Sequence, residues 1–204
     1  VLTLAPVNTP PPSPTSLPAP RIAWLPRDRA QPGQVQVAAW LAESLAIEPT
    51  RVAFARDTFG RPYLQPPLQA HDCNWSHSGE GLLVAVGEGI DLGVDLEWRR
   101  PRPRALALAE RFFAAPEVQW LRAAPEDVRE ARFLRLWCAK EAVLKAHGQG
   151  LSFGLHRLVF VEHDETLVLH DCDAALGPAA AWTVRELAPA PGYLGAMAWR
   201  RRRE

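Results

Sequence analysis

Apolar positions along the chain change period several times, and each change marks an element. Arg21-Ile22-Ala23-Trp24-Leu25 reads as a short strand closed by Pro26. Val35, Ala38, Ala39, Leu41, Ala42, Leu45 and Ala46 then recur at helical spacing until Pro49 stops the pattern, which predicts a helix over Gln34–Ile47. Val52-Ala53-Phe54 and Pro62-Tyr63-Leu64 read as short strands around the turn Asp57-Thr58-Phe59-Gly60, and Leu82–Val86 as a more continuous one.

From Leu92 to Trp98 the chain alternates, so Val94 and Leu96 share one side of a strand and Asp95 and Glu97 the other. Helical patterns follow at Ala105–Phe113, at Pro116–Leu121 with proline in the first turn, and from about Glu126 to His147, ended by Gly148 and Gly150. Strand-like runs return at Leu158–Val161, Thr166–Leu169, Trp182–Val184 and Tyr193–Trp199. The order strand, helix, strands thus occurs twice. This predicts an α+β fold of two similar halves, 21–90 and 91–200, meeting near residue 90.

Composition narrows the function classes. The 204 residues carry 23 basic and 23 acidic side chains, so no global charge draws in nucleic acid or an anionic bilayer, and anion binding has to be local. Residues 1–20 hold Pro6, Pro10, Pro11, Pro12, Pro14, Pro18 and Pro20, which predicts an extended, loosely ordered arm rather than a signal peptide or membrane anchor. Cys73, Cys138 and Cys172 are widely spaced and odd in number, as fits a reducing, cytoplasmic setting. The run Arg200–Arg203 reads as a solubilising basic tail over 201–204.

The candidate chemistry lies in the middle of the chain. Asp95-x-Glu97 on a strand is followed by Trp137-Cys138-Ala139-Lys140-Glu141-Ala142-Val143-Leu144-Lys145 on a helix, where Glu141 and Lys145 share a face one turn apart. Three carboxylates from two rigid elements suit a hard divalent cation such as magnesium, and a neighbouring lysine suits phosphate. Taken singly, each piece has a plainer reading: a solvated strand face, an exposed ion pair, a core tryptophan. Asn74-Trp75-Ser76-His77-Ser78-Gly79 adds a polar stretch, read as flexible, with hydroxyls, imidazole and glycine amides fit for phosphate oxygens. It equally suits a turn with a hydrogen-bonded His. No G-x-S-x-G elbow accompanies it, which argues against acyl hydrolysis.

Gly60-Arg61-Pro62, Asn74–Gly79, Gly93-Val94-Asp95-Leu96-Glu97, Arg111-Phe112-Phe113 and Trp137–Lys145 together, in this order from about residue 50 to 151, resemble the motif series of the surfactin-synthetase-type 4′-phosphopantetheinyl transferases. The resemblance implies a monomeric, pseudo-twofold α+β fold with coenzyme A between the halves. It implies transfer of the phosphopantetheine arm to a serine of an acyl or peptidyl carrier protein, with no nucleic acid or membrane partner. Asp95, Glu97 and Glu141 would then surround magnesium, with Glu97 open to acting through water, and Glu141 would take the serine proton. Lys145, Ser76 and His77 would meet phosphates, and Arg61 the nucleotide end.

Family members also carry basic residues before and within the first helix, whereas Gln34–Ile47 has none. Arg29, with Arg27 as its rival, is the substitute for the 3′-phosphate. Arg99, Arg100, Arg102 and Arg104 suit the acidic helices of a carrier. The competing functions are a metal-dependent phosphoesterase or nuclease and a non-catalytic carrier-binding paralogue.

Overall fold

The computed structural model describes residues 19–202. The proline-rich stretch before Ala19 and the last two residues lie outside them, and with them most of the predicted arm.

Each half is built the same way. The first runs β1 (Arg21–Pro26), α1 (Gly33–Leu45), the hairpin β2 (Phe54–Arg56) and β3 (Pro62–Leu64), then β4 (His71–Ser78) and β5 (Gly81–Glu88). The second runs β6 (Ile90–Trp98), α2 (Ala105–Phe112), α3 (Ala115–Ala123), α4 (Glu126–His147), the hairpin β7 (Leu158–His163) and β8 (Thr166–Cys172), then β9 (Thr183–Leu187) and β10 (Tyr193–Arg201). The antiparallel sheets are ordered β1-β5-β4 and β6-β10-β9, so in both the first strand pairs with the last and the last with the one before it. This repeat is the pseudo-twofold α+β arrangement.

The stretch 74–79, expected to be flexible, is instead the body and end of β4, where Asn74 and Ser76 are buried. Its polarity has a structural cause. Alternate side chains of β4 reach sideways to the parallel β6: Asp72 Oδ2 accepts from the Leu92 amide at 2.8 Å, Asn74 Oδ1 from Val94 at 2.9 Å, and Ser78 Oγ from Trp98 at 3.0 Å. Side chains thus replace a backbone ladder between the halves and satisfy amides that burial would otherwise leave unpaired.

The apolar run in β5 reflects burial on both faces. Leu82, Val84 and Val86 pack with Val37, Trp40 and Leu41 of α1, while Leu83 and Ala85 meet Leu92, Val94, Leu96 and Met197 of the second half.

Helix α4 lies on β6 and β10 without a side-chain spacer at one point. A Cβ built on Gly93 would come within 2.1 Å of the Ala142 carbonyl oxygen and 2.4 Å of the Ala146 nitrogen. Only glycine allows that approach, and the small Ala142 and Ala146 stand where the helix touches. Gly93→Ala is expected to destabilise the fold by about 2–3 kcal/mol, as overpacking does, and to lower the melting temperature by about 5–10 °C. A thermal melt unchanged from the parent would disprove this packing.

Arg200 and Arg202 do not act as a solubilising tail, although Arg201 is exposed. Arg200 is buried, donates to Asp91 and the Leu176 carbonyl, and stacks on Trp182. Arg202 donates to the carbonyls of Gln69 and Ile90, tying the end of β10 to both halves. The sequence shows the charges but not that β10 runs through the centre of the second sheet.

Candidate active site

The close contact at Gly93 sets the site. Beside Ala142 and Ala146, the same helix carries Glu141 and Lys145, and docking at Gly93 brings them over Asp95, two residues along β6. Lys145 Nζ donates to Asp95 Oδ1 at 2.6 Å and to Ser76 Oγ at 3.0 Å, and Ser76 Oγ donates to the same Asp95 oxygen at 2.9 Å. Three of the sequence-derived residues, from β4, β6 and α4, therefore form one bonded triangle across the seam.

Glu141 completes the group electrostatically. Burial pushes its carboxyl up to about 7, the charges of Asp95 and Glu97 push in the same direction, and Lys145 opposes them. Two carboxylate oxygens, Asp95 Oδ2 and Glu141 Oε1, are buried without a hydrogen-bond partner. Orphaned acceptors of this kind in a desolvated site are suited to a hard cation. Among the described residues, however, no three acidic, His or Cys groups converge as a ready-made metal cage. One Asp95 oxygen is held by Lys145, and Glu97 Oε2 is held by Arg102 Nη2 at 2.5 Å with Ser78 Oγ at 3.3 Å. Burial raises the Glu97 carboxyl and Arg102 opposes that rise.

His77 falls on the opposite pleat of β4 from Ser76 and is exposed. Its imidazole is held below its usual range by partial burial first, then by the positive charge of Arg27 and, more weakly, of Lys145. The guanidinium whose field reaches His77 is thus that of Arg27. Arg29 is exposed and paired with Glu80 at 2.5 Å.

Arg61 sits where a turn delivers it. Asp57 Oδ1 accepts from the amides of Phe59 and Arg61, each at 2.9 Å, and Gly60 takes a φ of +82°. The guanidinium is enclosed: Nη2 donates to Asp72 Oδ2 at 2.6 Å and to the Leu92 carbonyl at 3.0 Å, and Nε to the Lys145 carbonyl at 2.9 Å. The last of these is one of the carbonyls that the ending helix α4 leaves unpaired. Between this turn, Asn74 and Trp75 of β4, Lys145 and the 148–150 loop lies a cavity of about 330 Å³. That volume is at the small end for ligand pockets.

The sequence reading missed Gly93 as a site-forming residue, although glycine inside a strand signals close approach. It also missed Asp72 and the Arg102–Glu97 pair, for which no local pattern exists.

Residues 91–189 match the family model of the 4′-phosphopantetheinyl transferase superfamily. The chain is 34% identical over 156 residues to the 4′-phosphopantetheinyl transferase HetI of Nostoc, covering 76% of this chain and 63% of that protein. It is 31% identical over 123 residues to the 4′-phosphopantetheinyl transferase Sfp of Bacillus subtilis, covering 60% of this chain and 53% of that one. The chain thus spans less than two thirds of either relative. The crystal structure of Thermotoga maritima holo-[acyl-carrier-protein] synthase aligns with a TM-score of 0.42 at 20% identity, over 56% of this chain and 64% of that one.

Proposed function

We propose that this chain, whose residues 91–189 belong to the 4′-phosphopantetheinyl transferase superfamily, moves the phosphopantetheine arm of coenzyme A onto a serine of an acyl or peptidyl carrier protein. The observation that carries the reading is the Ser76–Asp95–Lys145 triangle beside the unpartnered oxygens of Asp95 and Glu141, whose Lys145 lines the cavity between the halves.

The carrier serine oxygen forms a bond to the β-phosphorus of coenzyme A, the bridging phosphate bond breaks, and 3′,5′-adenosine bisphosphate leaves. Asp95 and Glu141, with Glu97, are the residues that would hold magnesium, which supplies charge compensation at the phosphate oxygens. Glu141, buried beside Asp95, is the residue that would take the serine proton. Lys145 is held by Asp95 and Ser76 at the cavity edge, so its ammonium can turn to a phosphate oxygen without crossing the site. His77 and Arg27 supply donors for a further phosphate, with Arg29, exposed and paired with Glu80, as the other candidate.

The chain is proposed to act as a cytoplasmic monomer. No helix among the described residues is long and apolar enough to cross a membrane.

The deciding experiment is mass spectrometry of several apo carriers incubated with the protein, coenzyme A and magnesium. Gain of one phosphopantetheine on a serine is expected. Release of free phosphopantetheine without a carrier would instead mark a phosphoesterase, and coenzyme A binding without any transfer a non-catalytic relative.

Arg99, Arg100 and Arg104 are exposed directly after the metal-binding strand. Arg99→Glu with Arg100→Glu is expected to raise KM for the carrier and flatten its dependence on salt, since steering by charge acts on association. Coenzyme A affinity should stay the same. Carrier kinetics unaltered across a salt series would remove these arginines from the docking surface.

A further inference from the structure

We propose that Arg102 is a built-in counter-cation for Glu97 that sets how tightly the free protein takes up a divalent ion. The inference rests on the reading above that Asp95, Glu97 and Glu141 are the ion's ligands.

Three observations carry it. Arg102 Nη2 lies 2.5 Å from Glu97 Oε2, and both side chains are only 20% exposed, so water screens the pair less than it would a surface pair. The arginine is also held in place: it lies between Pro101 and Pro103, its amide donates to Glu130 Oε2 of α4 at 2.7 Å, and its carbonyl accepts from Ala105 at the start of α2. Flanking prolines restrict the backbone, so the side chain loses less freedom on pairing than one on a free loop.

Charge balance across the site is the third. Asp95 has Lys145 as its partner and Glu97 has Arg102, and two cations thus stand against three carboxyl groups before any ion arrives. A divalent ion that draws on Glu97 displaces the guanidinium from Oε2, shares that oxygen with it, or takes Oε1 beside it. In each case the ion binds against the positive charge of Arg102. Arg102 is a positioning residue in this account and touches neither coenzyme A nor the serine.

The test measures manganese binding to the protein alone, without coenzyme A or carrier, by calorimetry and by loss of the free-ion paramagnetic resonance signal. Arg102→Gln is expected to tighten binding by about three- to tenfold, the scale of one partly shielded ion pair. Arg104→Gln removes the same charge from an exposed neighbour and should change affinity much less. In a Glu97→Gln background the effect of Arg102→Gln should vanish, because the coupling runs through that carboxylate.

Equal effects of Arg102→Gln and Arg104→Gln would reduce the result to net charge and overturn the proposal. So would an Arg102 effect that persists in Glu97→Gln. Arg102→Lys, which keeps the charge but loses the planar fork, should fall between parent and Arg102→Gln, and it serves if the glutamine variant unfolds. Manganese affinity that ignores Asp95→Asn would point to a different failure, that of the ligand assignment itself.

Discussion

Asp95→Asn and Glu141→Gln are each expected to lower phosphopantetheine transfer about a hundred- to a thousandfold, the scale on which one preorganised electrostatic contact at a reacting centre is felt. Both replacements keep the shape of the side chain. Neither removes core volume, so Glu141→Gln should melt near the parent without metal, whereas Asp95→Asn should melt lower because Lys145 loses its anion. The two variants should differ in detail. Asp95→Asn removes the anion that holds Lys145 and Ser76, so it loses a carboxylate ligand and loosens the lysine together. Glu141→Gln leaves that triangle intact and removes only the carboxyl that burial holds near pH 7, hence the proton acceptor and a ligand oxygen. Asp95→Ala should be as inactive as Asp95→Asn and less stable, since Lys145 and Ser76 would lose their hydrogen-bond acceptor as well as the charge. Near-normal turnover in any of these folded variants, measured by carrier mass against time, would sink the site assignment.

The second large effect concerns Arg61. If it met the 3′-phosphate of coenzyme A, Arg61→Ala would lose about ten- to hundredfold in kcat/KM with coenzyme A and almost nothing with 3′-dephospho-coenzyme A. The geometry leads to a different expectation. The guanidinium is already shared between Asp72, the Leu92 carbonyl and the Lys145 carbonyl, and only 16% of its side chain is exposed. It clamps the end of α4 to the seam between the halves.

Arg61→Ala should therefore lose similar activity with both substrates. It should also destabilise the protein by about 3–5 kcal/mol, because it leaves Asp72 buried without its cation. Burial already raises the Asp72 carboxyl against the pull of Arg61, so the unpaired acid has little to compensate it. Arg61→Lys keeps the charge but cannot span three acceptors, and should recover part of the stability. A loss confined to coenzyme A, with an unchanged melt, would restore the phosphate role.

Much of this molecule is legible in its sequence. Helix α4 was expected from about Glu126 to His147 and occupies those residues, because its periodicity is long and glycines end it. Asp95, Glu97, Glu141, Lys145 and Ser76 stand out by residue type and motif order, and all five lie within one electrostatically linked group around Asp95. These are local signals. Alternation, helical spacing and short motifs depend on residues close together in the chain, and the backbone turns them into faces whatever the rest of the fold does.

What the tertiary structure alone decided are the pairings between distant segments. Asn74–Ser78 looked like a flexible polar stretch and is a strand paired with β5, its alternate polar side chains bonding the amides of β6, 20 residues away. The arginines near residue 200 looked like a solubilising tail, yet Arg200 is buried against Asp91 and Trp182. Arg61 was expected at the nucleotide end of coenzyme A and Arg102 on the face towards the carrier. One clamps a helix end and the other holds a candidate metal carboxylate. A charged side chain's role depends on which partner desolvates with it, and that partner is chosen by the folding of the whole chain rather than by its neighbours in sequence.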